Sequence, residues 1–318
     1  MNNYKLFINS AESIKYFSEI EWSDNIDSIG AEFSFKSLKK LNIGDKFLLT
    51  NNGSEVIRGI ITDESYNKNL NYSYSGFDYG FYLNKNEVVI QFNKMPVSSC
   101  IQQLCNKINI PCGNIANLST SITKIYKDAV VYDIIKDLLD MDFKRTGFKH
   151  RIEINQNKVD ILDYNSLFIT ANYQLTALSA PFNVQKAISS VTFTNSIQDM
   201  KNSVIVVDNK ENSGRIKSQS MDSGNISKYG LLQQVETAND DKGQQAVIAS
   251  NILKDADKIQ NRVSVEMLGA DNIKAARVLN FNYPKLSFVG NYQVKTSRHG
   301  LINQNNHKVS LELELYTG

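Results

Sequence analysis

Cysteine, histidine and proline are scarce in this chain of 318 residues, and each scarcity excludes a class of protein. Three cysteines, Cys100, Cys105 and Cys112, cannot make a complete disulfide framework, which favours a reducing compartment. No apolar run approaches the roughly 20 residues that span a bilayer, and the N-terminus lacks the apolar core of a signal peptide. We therefore predict no membrane partner and synthesis without Sec export. A formal net charge of +2 gives no strong attraction to nucleic acid.

The motifs of common catalytic sites are absent from the sequence. There is no G-x-S-x-G, no G-x-x-x-x-G-K-[ST], no G-x-G-x-x-G and no H-E-x-x-H. The cysteine spacing C-x4-C-x6-C lacks the fourth ligand of a zinc or iron–sulfur site, so buried or half-buried thiols are the better interpretation. His299 and His307 can approach each other across a hairpin, but the sequence places no carboxylate or thiolate beside them. We predict hydrogen-bonded imidazoles there, not a metal site.

Two groups of acidic residues are the remaining candidates for catalysis. Asp137 with Asp140–Asp142, and Asp240 with Asp241, offer the paired carboxyls that glycoside hydrolysis needs. That reaction also needs one carboxyl buried enough to stay protonated. These acids lie at helix ends or on polar helix faces, which predicts solvated or capping side chains. We therefore assign no catalytic, cofactor-binding or metal-binding residue and predict a protein that is not an enzyme.

Residues 1–92 have the pattern of a small, curved β-sheet. In Leu41–Thr62 two apolar runs flank Asn51-Asn52-Gly53, which is turn chemistry between strands, and Gly59 suggests a bulge or bend. Turns recur about every ten residues, a spacing typical of a sandwich or barrel. The aromatic segment Tyr66–Tyr82 predicts a strand and a turn. A stacking platform for bases or sugars is the alternative, although no basic cluster accompanies the rings.

Residues 93–172 change to a helical period. Pro96 can begin a first helix whose apolar side chains share one face: Val97, Ile101, Leu104, Cys105 and Ile108. Asp128 is the expected N-cap of a second helix, which stops near Gly147. A hairpin follows, with its turn at Gln156-Asn157. Together these elements predict an α+β module.

Residues 173–318 return to strands, with an inserted helix at about 241–260 that Asp240 or Asp241 is expected to cap. Lys210–Asn225 is polar and predicts an exposed loop. The closing VSLELELY alternates strictly, so its glutamates face outward. The chain is therefore predicted to be mainly β with α+β insertions. It would contain two similar small β-barrel domains, 1–92 and 173–318, separated by the α+β module 93–172.

Four stretches, taken in order, carry a family resemblance. They are I-G-D-K-F-L-L with V-I-R-G-I-I; S-S-C-I-Q-Q-L-C through D-A-V-V-Y-D-I-I-K-D-L-L; S-I-Q-D-M-K-N-S-V-I-V-V with K-Y-G-L-L-Q; and F-V-G-N-Y-Q-V-K-T-S-R-H-G-L-I with N-H-K-V-S-L-E-L. In this order they resemble the baseplate hub proteins of contractile phage tails and tail-like bacteriocins, the late-control protein D family, in particular its XkdQ/YqbQ-like branch. No region follows Gly318 in the sequence, so a fused lysozyme or spike domain is not expected.

The resemblance implies a structural role. Hubs of this family are trimers whose subunits each contribute two similar β-barrels, so that a pseudo-sixfold ring joins the hexameric tail tube to the threefold central spike. The implied partners are the tube, spike and tape-measure proteins and other baseplate proteins, with no sequence-specific nucleic acid. The implied location is a virion or tail-like particle assembled in the host cytoplasm. Two alternatives stay open: a tail-associated peptidoglycan hydrolase, and a carbohydrate- or nucleic-acid-binding β protein that uses the tyrosines.

Overall fold

The computed structural model describes residues 2–12, 17–69, 71–173, 180–208, 214–238, 244–303 and 306–316. Within these ranges the chain is mainly β and forms 22 strands and five α-helices. No helix in the same ranges is both long enough and apolar enough to cross a membrane. Asp240 and Asp241, the predicted caps of the inserted helix, lie outside the described residues.

The first part of the chain is a series of short antiparallel strands. They are β1 Tyr4–Ile8, β2 Ala11–Glu12, β3 Phe17–Asn25, β4 Glu32–Ser37, β5 Lys46–Asn51, β6 Ser54–Tyr66 and β7 Tyr72–Phe77. The predicted hairpin is confirmed, since β5 and β6 pair around Asn52 and Gly53. Both turn residues have positive φ, which a tight two-residue turn requires.

Gly59 and Gly76 mark the place where β6 leaves β5 and joins β7. β6 pairs with β5 up to Ile60 and with β7 from Ile60 onward. A Cβ on Gly59 would lie 1.9 Å from the Phe77 carbonyl oxygen, and one on Gly76 would lie 2.1 Å from the Ile60 carbonyl oxygen. The two backbones therefore approach more closely than any side chain permits, which explains the bend predicted at Gly59.

The middle of the chain contains both predicted helices and the predicted hairpin. Its elements are α1 Gly80–Lys85, β8 Glu87–Pro96, α2 Val97–Lys107, β9 Cys112–Ile115, β10 Ser121–Val130, α3 Val131–Thr146, β11 His150–Asn155 and β12 Lys158–Asp163. α2 follows Pro96 directly and α3 ends at Gly147, as predicted, and Gly147 has the left-handed conformation. The predicted cap is wrong: Asp128 lies inside β10 at positive φ, and Val130 is the N-cap of α3. Pairing of β10 with β8 was not foreseen.

The last part of the chain combines strands with two helices. Its elements are β13 Asn172–Tyr173, β14 Phe182–Asn183, β15 Ile188–Ser196, β16 Ser203–Asp208, β17 Ile216–Met221, α4 Ser223–Tyr229, β18 Gln233–Ala238, α5 Gln245–Ala256, β19 Gln260–Leu268, β20 Val278–Tyr283, β21 Phe288–Asn303 and β22 Asn306–Leu315. α5 is the predicted inserted helix. The exposed loop predicted over Lys210–Asn225 is wrong in its described part, because β17 and the start of α4 lie there. Residues 210–213 lie outside the described ranges.

A twelve-stranded sheet joins the two ends of the chain, in the order β15-β19-β22-β21-β3-β4-β7-β6-β5-β1-β2 with β20 beside β21. Its central link is the antiparallel pair β21–β3, which matches Thr296–Leu301 with Ile20–Asn25. No sheet formed by the described residues closes on itself. The fold is therefore mainly β with α+β insertions, as predicted, but two closed barrels are not confirmed.

Four clusters of buried apolar side chains support these layers. One lies under β1 to β7 and includes Leu301 from β21, so the last part of the chain contributes to the first core. A second lies under β19 to β22. A third surrounds α2 and α3 and takes in Val88, Ile90 and Phe92 of β8. The fourth is small and lies between α5 and β16.

The close approach at Gly59 predicts the cost of a single methyl group. Gly59→Ala should lower the free energy of unfolding by about 2–3 kcal/mol, because the Phe77 backbone must shift to admit the Cβ. Gly300→Ala is the matched control, since nothing lies within 4 Å of a Cβ there, and it should change stability by less than about 0.5 kcal/mol. Urea denaturation measures both, and equal effects would contradict the packing account.

Candidate assembly surface and the joint behind it

The long sheet has a polar face that extends across its neighbouring strands. Cross-strand partners on this face form two rows. The first row is Glu266, Ser310, Arg298, Ser23 and Glu32. The second row is Lys308, Gly300, Glu21, Ser34, Ser75 and Asp63. The residues that alternate with them along β19, β22 and β4 are buried and apolar, so the sheet has one apolar side and one polar side.

Two strand edges at the ends of this polar face have no strand beside them within the described ranges. β15 pairs with β19 on one edge only. Beyond the bend, β6 pairs with β7 on one edge, and its other edge is open from Thr62 to Tyr66. Eight strands lie from β15 to β6 in the sheet order, and each neighbouring pair is antiparallel. Open edges of this kind are templates for pairing with another chain.

A line of hydrogen-bonding side chains lies behind the β21–β3 pair. The Tyr4 hydroxyl is 2.6 Å from Asp271 Oδ1 and 2.7 Å from His307 Nδ1. His307 Nε2 is 2.8 Å from His299 Nδ1, and His299 Nε2 is 3.0 Å from the Ile273 carbonyl oxygen. The Trp22 ring stacks on the His299 ring, with centroids 4.8 Å apart. The line joins β1 and β3 to β21, β22 and the loop before β20.

The two histidines are confirmed as hydrogen-bonded imidazoles that approach each other across the β21–β22 hairpin. Burial lowers the pKa of His299 well below its usual value of 6.5, and the neighbouring His307 lowers it further. Burial also lowers the pKa of His307 to about 3. Both rings are therefore neutral near pH 7. A search of the described residues for three or more clustered histidine, cysteine and acidic ligands finds none.

A buried carboxylate stands beside this line. Asp24 accepts hydrogen bonds from the backbone N–H of Ala275, at 2.9 Å to each carboxylate oxygen, and from the hydroxyl of Ser297. Burial raises the pKa of Asp24, while Ser297 and the Arg151 guanidinium oppose that shift. The two hydrogen-bond donors come from β21 and the loop before β20, and the guanidinium comes from β11. Asp24 therefore connects β3 with β21, with β11 and with this loop.

Arg151 of β11 connects the middle module to both ends of the chain. It donates to the carbonyl oxygens of Ile26 at 2.5 Å and Asn25 at 3.1 Å. Two positions further along β11, Glu153 forms an ion pair of 2.7 Å with Arg277. Burial would raise the pKa of Glu153, but Lys274 and Arg277 outweigh burial and lower it. A cleft of about 330 Å³ opens between these residues and β6.

The residues singled out from the sequence occupy structural positions. Cys100 and Cys105 are buried as predicted, and burial raises the pKa of both thiols. Asp137 accepts from Lys124 at 2.6 Å, and Asp140 pairs with Lys144 at 2.7 Å. Asp142 departs from its prediction of a solvated side chain, since it is 2% exposed. Its nearest basic group is His150 Nδ1 at 3.9 Å.

The aromatic segment Tyr66–Tyr82 does not form an exposed array. Tyr72 and Tyr74 are buried in the first core, where their rings stack. The Tyr74 hydroxyl accepts from the backbone N–H of Leu41 at 2.8 Å and lies 2.9 Å from Glu64 Oε1. Of the segment's described tyrosines, Tyr66 is the most exposed, at 65%. The strand-and-turn interpretation accounts for these rings, and a stacking platform does not.

We call the β21–β3 pair, together with the line from Asp271 to the Ile273 carbonyl, Asp24 and Arg151, the joint. Sequence reasoning missed those of its members that lie far apart in the chain. No pattern in the sequence linked Tyr4 to Asp271, which is 267 positions away. Trp22 is the single tryptophan of the chain, and its position in a strand gave no indication that it covers a histidine. Arg151 was placed in a hairpin, but nothing near it predicted that it would reach the carbonyls after β3.

A family model and a curated relative match most of this chain. The model of the YQBQ-like family matches residues 20–314. The XkdQ protein of the phage-like element PBSX of Bacillus subtilis (strain 168) is 24% identical over 261 residues, which are 80% of this chain and 77% of the relative.

Solved structures of tail proteins share the fold. The 43 kDa tail protein of prophage MuSo2 from Shewanella oneidensis matches with a TM-score of 0.69 and 10% identity, over 98% of each chain. The tail protein from Neisseria meningitidis MC58 matches with a TM-score of 0.71 and 11% identity, over 98% of this chain and 96% of that chain. At these identities the likeness concerns the arrangement of strands and helices.

The joint can be tested on the isolated protein through Arg151. Arg151→Met should lower the free energy of unfolding by about 2–4 kcal/mol, because the carbonyls of Asn25 and Ile26 lose the charged donor that the buried Arg151 provides. Arg262→Met is the control, since Arg262 is exposed and its contact with Asp199 is 3.4 Å long, and it should cost less than about 1 kcal/mol. Urea denaturation measures both variants. A small effect at Arg151 would mean that the module docks without this contact.

Proposed function

Because this chain belongs to the YQBQ-like family, we propose that it is a structural baseplate hub of a contractile phage tail or a tail-like bacteriocin. Three copies would form a pseudo-sixfold ring that joins the hexameric tail tube to the threefold central spike. The observation that carries the proposal is the run of eight antiparallel strands within the long sheet, from β15 to β6, with an open edge along β15 and along Thr62–Tyr66 of β6. The tail-protein fold and the phage-like relative support it.

The pseudo-sixfold symmetry would come from two halves of this sheet. One half is β15, β19, β22 and β21, and the other is β3, β4, β7 and β6, with the β21–β3 pair between them. Each half has its own apolar core on the same side. In the assembly each half of the sheet would form one barrel-like unit of the ring. Three chains with two halves each would therefore contribute six such units. The division of the chain at 92 and 172 stays a prediction.

The open edges supply a way to close the ring. Strand directions alternate along the eight strands, so β15 and β6 point in opposite directions. When copies are placed head to tail, β15 of one copy therefore meets β6 of the next copy in the antiparallel sense. This pairing continues the sheet without a change of strand direction and covers both open edges, which are otherwise sites of aggregation.

The polar face would line the channel of such a ring. Its two rows are composed mainly of serine, glutamate and aspartate, with Arg298 and Lys308 as the cations. The residues of the two rows offer no large apolar side chain to an unfolded tape-measure protein. The apolar partners that continue the rows, Phe77, Ile60 and Leu268, are half-buried. Its carboxylates repel the phosphates of passing DNA. The ring is thus a passage without sequence-specific binding of nucleic acid.

The remaining features of the proposal follow from a structural role. The partners would be the tail tube protein, the central spike protein, the tape-measure protein and other baseplate proteins. The location would be the baseplate of a virion or tail-like particle, assembled in the cytoplasm of the bacterial host. We propose no catalytic activity and no cofactor, and cell-wall zymograms of the purified protein should show no clearing.

The ring is tested first by mass and shape. Native mass spectrometry of the purified protein should give a trimer, and negative-stain images should show rings about as wide as a tail tube. An obligate interface buries about 2,000 Å² or more, so dissociation at micromolar concentration is not expected. A well-folded monomer at that concentration would count against an obligate trimer.

The edge pairing is tested by cross-linking. Thr192 of β15 and Ser65 of β6 lie on the polar face near the two open edges. A variant with Thr192→Cys and Ser65→Cys should form covalent dimers and trimers with a short bismaleimide, and a closed ring permits nothing larger. The control carries Thr192→Cys with Lys158→Cys, whose lysine is exposed at the start of β12, and it should stay monomeric on denaturing gels. Equal ladders from both variants would contradict the pairing.

A further inference from the structure

The line of hydrogen-bonding groups behind the β21–β3 pair runs from Asp271 to the carbonyl of Ile273. It passes through Tyr4, His307 and His299 in four contacts of 2.6, 2.7, 2.8 and 3.0 Å. Contacts this short between oxygen and nitrogen atoms each need a proton between the two atoms, because two bare acceptors repel each other. Four contacts therefore need four protons.

The usual ionisation states supply only three of these protons. The Tyr4 hydroxyl has one, and each neutral imidazole has one on either of its ring nitrogens. An ionised Asp271 has none, so one of the four contacts would bring two lone pairs face to face. The fourth proton belongs either to the Asp271 carboxyl or to one of the histidines as an imidazolium.

Burial favours the carboxyl. His299 and His307 are 3% and 0% exposed, so an imidazolium would be a charge without solvent. Asp271 keeps 29% of its side chain exposed, and a proton there leaves every member of the line neutral. Burial raises the pKa of Asp271 and lowers the pKa of both histidines, which agrees with this assignment. The second Asp271 oxygen accepts from Asn51 Nδ2 at 2.6 Å in either state.

We propose that Asp271 carries a proton in the folded protein and donates it to the Tyr4 hydroxyl. Tyr4 then donates to His307 Nδ1, the Nε2–H of His307 donates to His299 Nδ1, and the Nε2–H of His299 donates to the Ile273 carbonyl. All four hydrogen bonds run in one direction. The joint between the two halves of the sheet is thus held by an uncharged chain that loses one hydrogen bond when Asp271 ionises.

The charged groups around this chain do not supply the missing proton. Lys274, in the loop before β20, lowers the pKa of His299 and so disfavours the imidazolium. Asp24 on β3 already accepts from Ala275 and Ser297. The joint should therefore weaken as pH rises through the folded pKa of Asp271, since a raised carboxyl pKa stabilises the fold below that pH and not above it.

The test uses the full chain and compares it with Asp271→Asn. The amide can donate to Tyr4 and accept from Asn51, as the protonated carboxyl does, but it does not titrate. The quantity to compare is the ratio of two unfolding equilibrium constants, that of the natural chain divided by that of the variant. This ratio should rise by up to about tenfold per pH unit from pH 3.8 to the folded pKa of Asp271. Urea denaturation at several pH values gives both constants. A ratio that is flat or falls with pH overturns the proposal.

Infrared and nitrogen-15 spectra of the natural chain report directly which groups carry protons, even if a variant folds poorly. Infrared spectra of the natural chain, recorded from low to neutral pH, should contain the C=O band of a protonated carboxyl that Asp271→Asn lacks and the control Asp45→Asn retains, and this band should persist above pH 3.8. Asp45 accepts from Asn9 and Asn42 at 2.8 and 2.9 Å and is half-buried. Nitrogen-15 spectra should show one protonated nitrogen, Nε2, on each of His299 and His307. An imidazolium signal without the carboxyl band would overturn the assignment.

Discussion

Six residue pairs between β21 and β3, from Thr296 with Asn25 to Leu301 with Ile20, hold the two halves of the long sheet together. The backbone of this pair is satisfied by its own ladder, but the side chains behind it include histidines and a carboxylate. Burying such groups costs free energy unless each finds a partner. The joint is therefore stable in only one arrangement, the one in which the loop before β20 provides the Ile273 carbonyl and the Ala275 N–H.

The same constraint positions the middle module. Arg151 reaches the carbonyls of Asn25 and Ile26, which follow the paired part of β3. Lys274 and Arg277, from the loop that contacts the histidines, pair with Glu153 in the module. One loop and one arginine thus connect three parts of the chain. In the proposed hub, where the two halves of the sheet would stay in register, a fixed joint matters more than a reactive site.

Local patterns predicted the elements whose contacts are local. The Asn52-Gly53 hairpin, the helix after Pro96 and the left-handed end of α3 at Gly147 all depend on residues within a few positions of each other. The pairing of β10 with β8 was not predicted, because two bulges in β10 break the alternation that marks a strand. They lie between Ile122 and Lys124 and between Tyr126 and Ala129. The Lys210–Asn225 segment was misassigned because exposed strands and short helices of polar residues have no apolar period.

Composition and periodicity were sufficient to identify a mainly β chain with α+β insertions and to place Cys100 and Cys105 in a core. The resemblance to the YQBQ-like family came from four motifs and their order along the chain. The folded chain alone revealed that both ends belong to one open sheet and that Tyr4, Asp271 and two histidines form its joint. The physical reason is distance along the chain. A strand pattern specifies which face is buried, whereas strand partners and buried polar contacts depend on residues hundreds of positions apart, which no local pattern encodes.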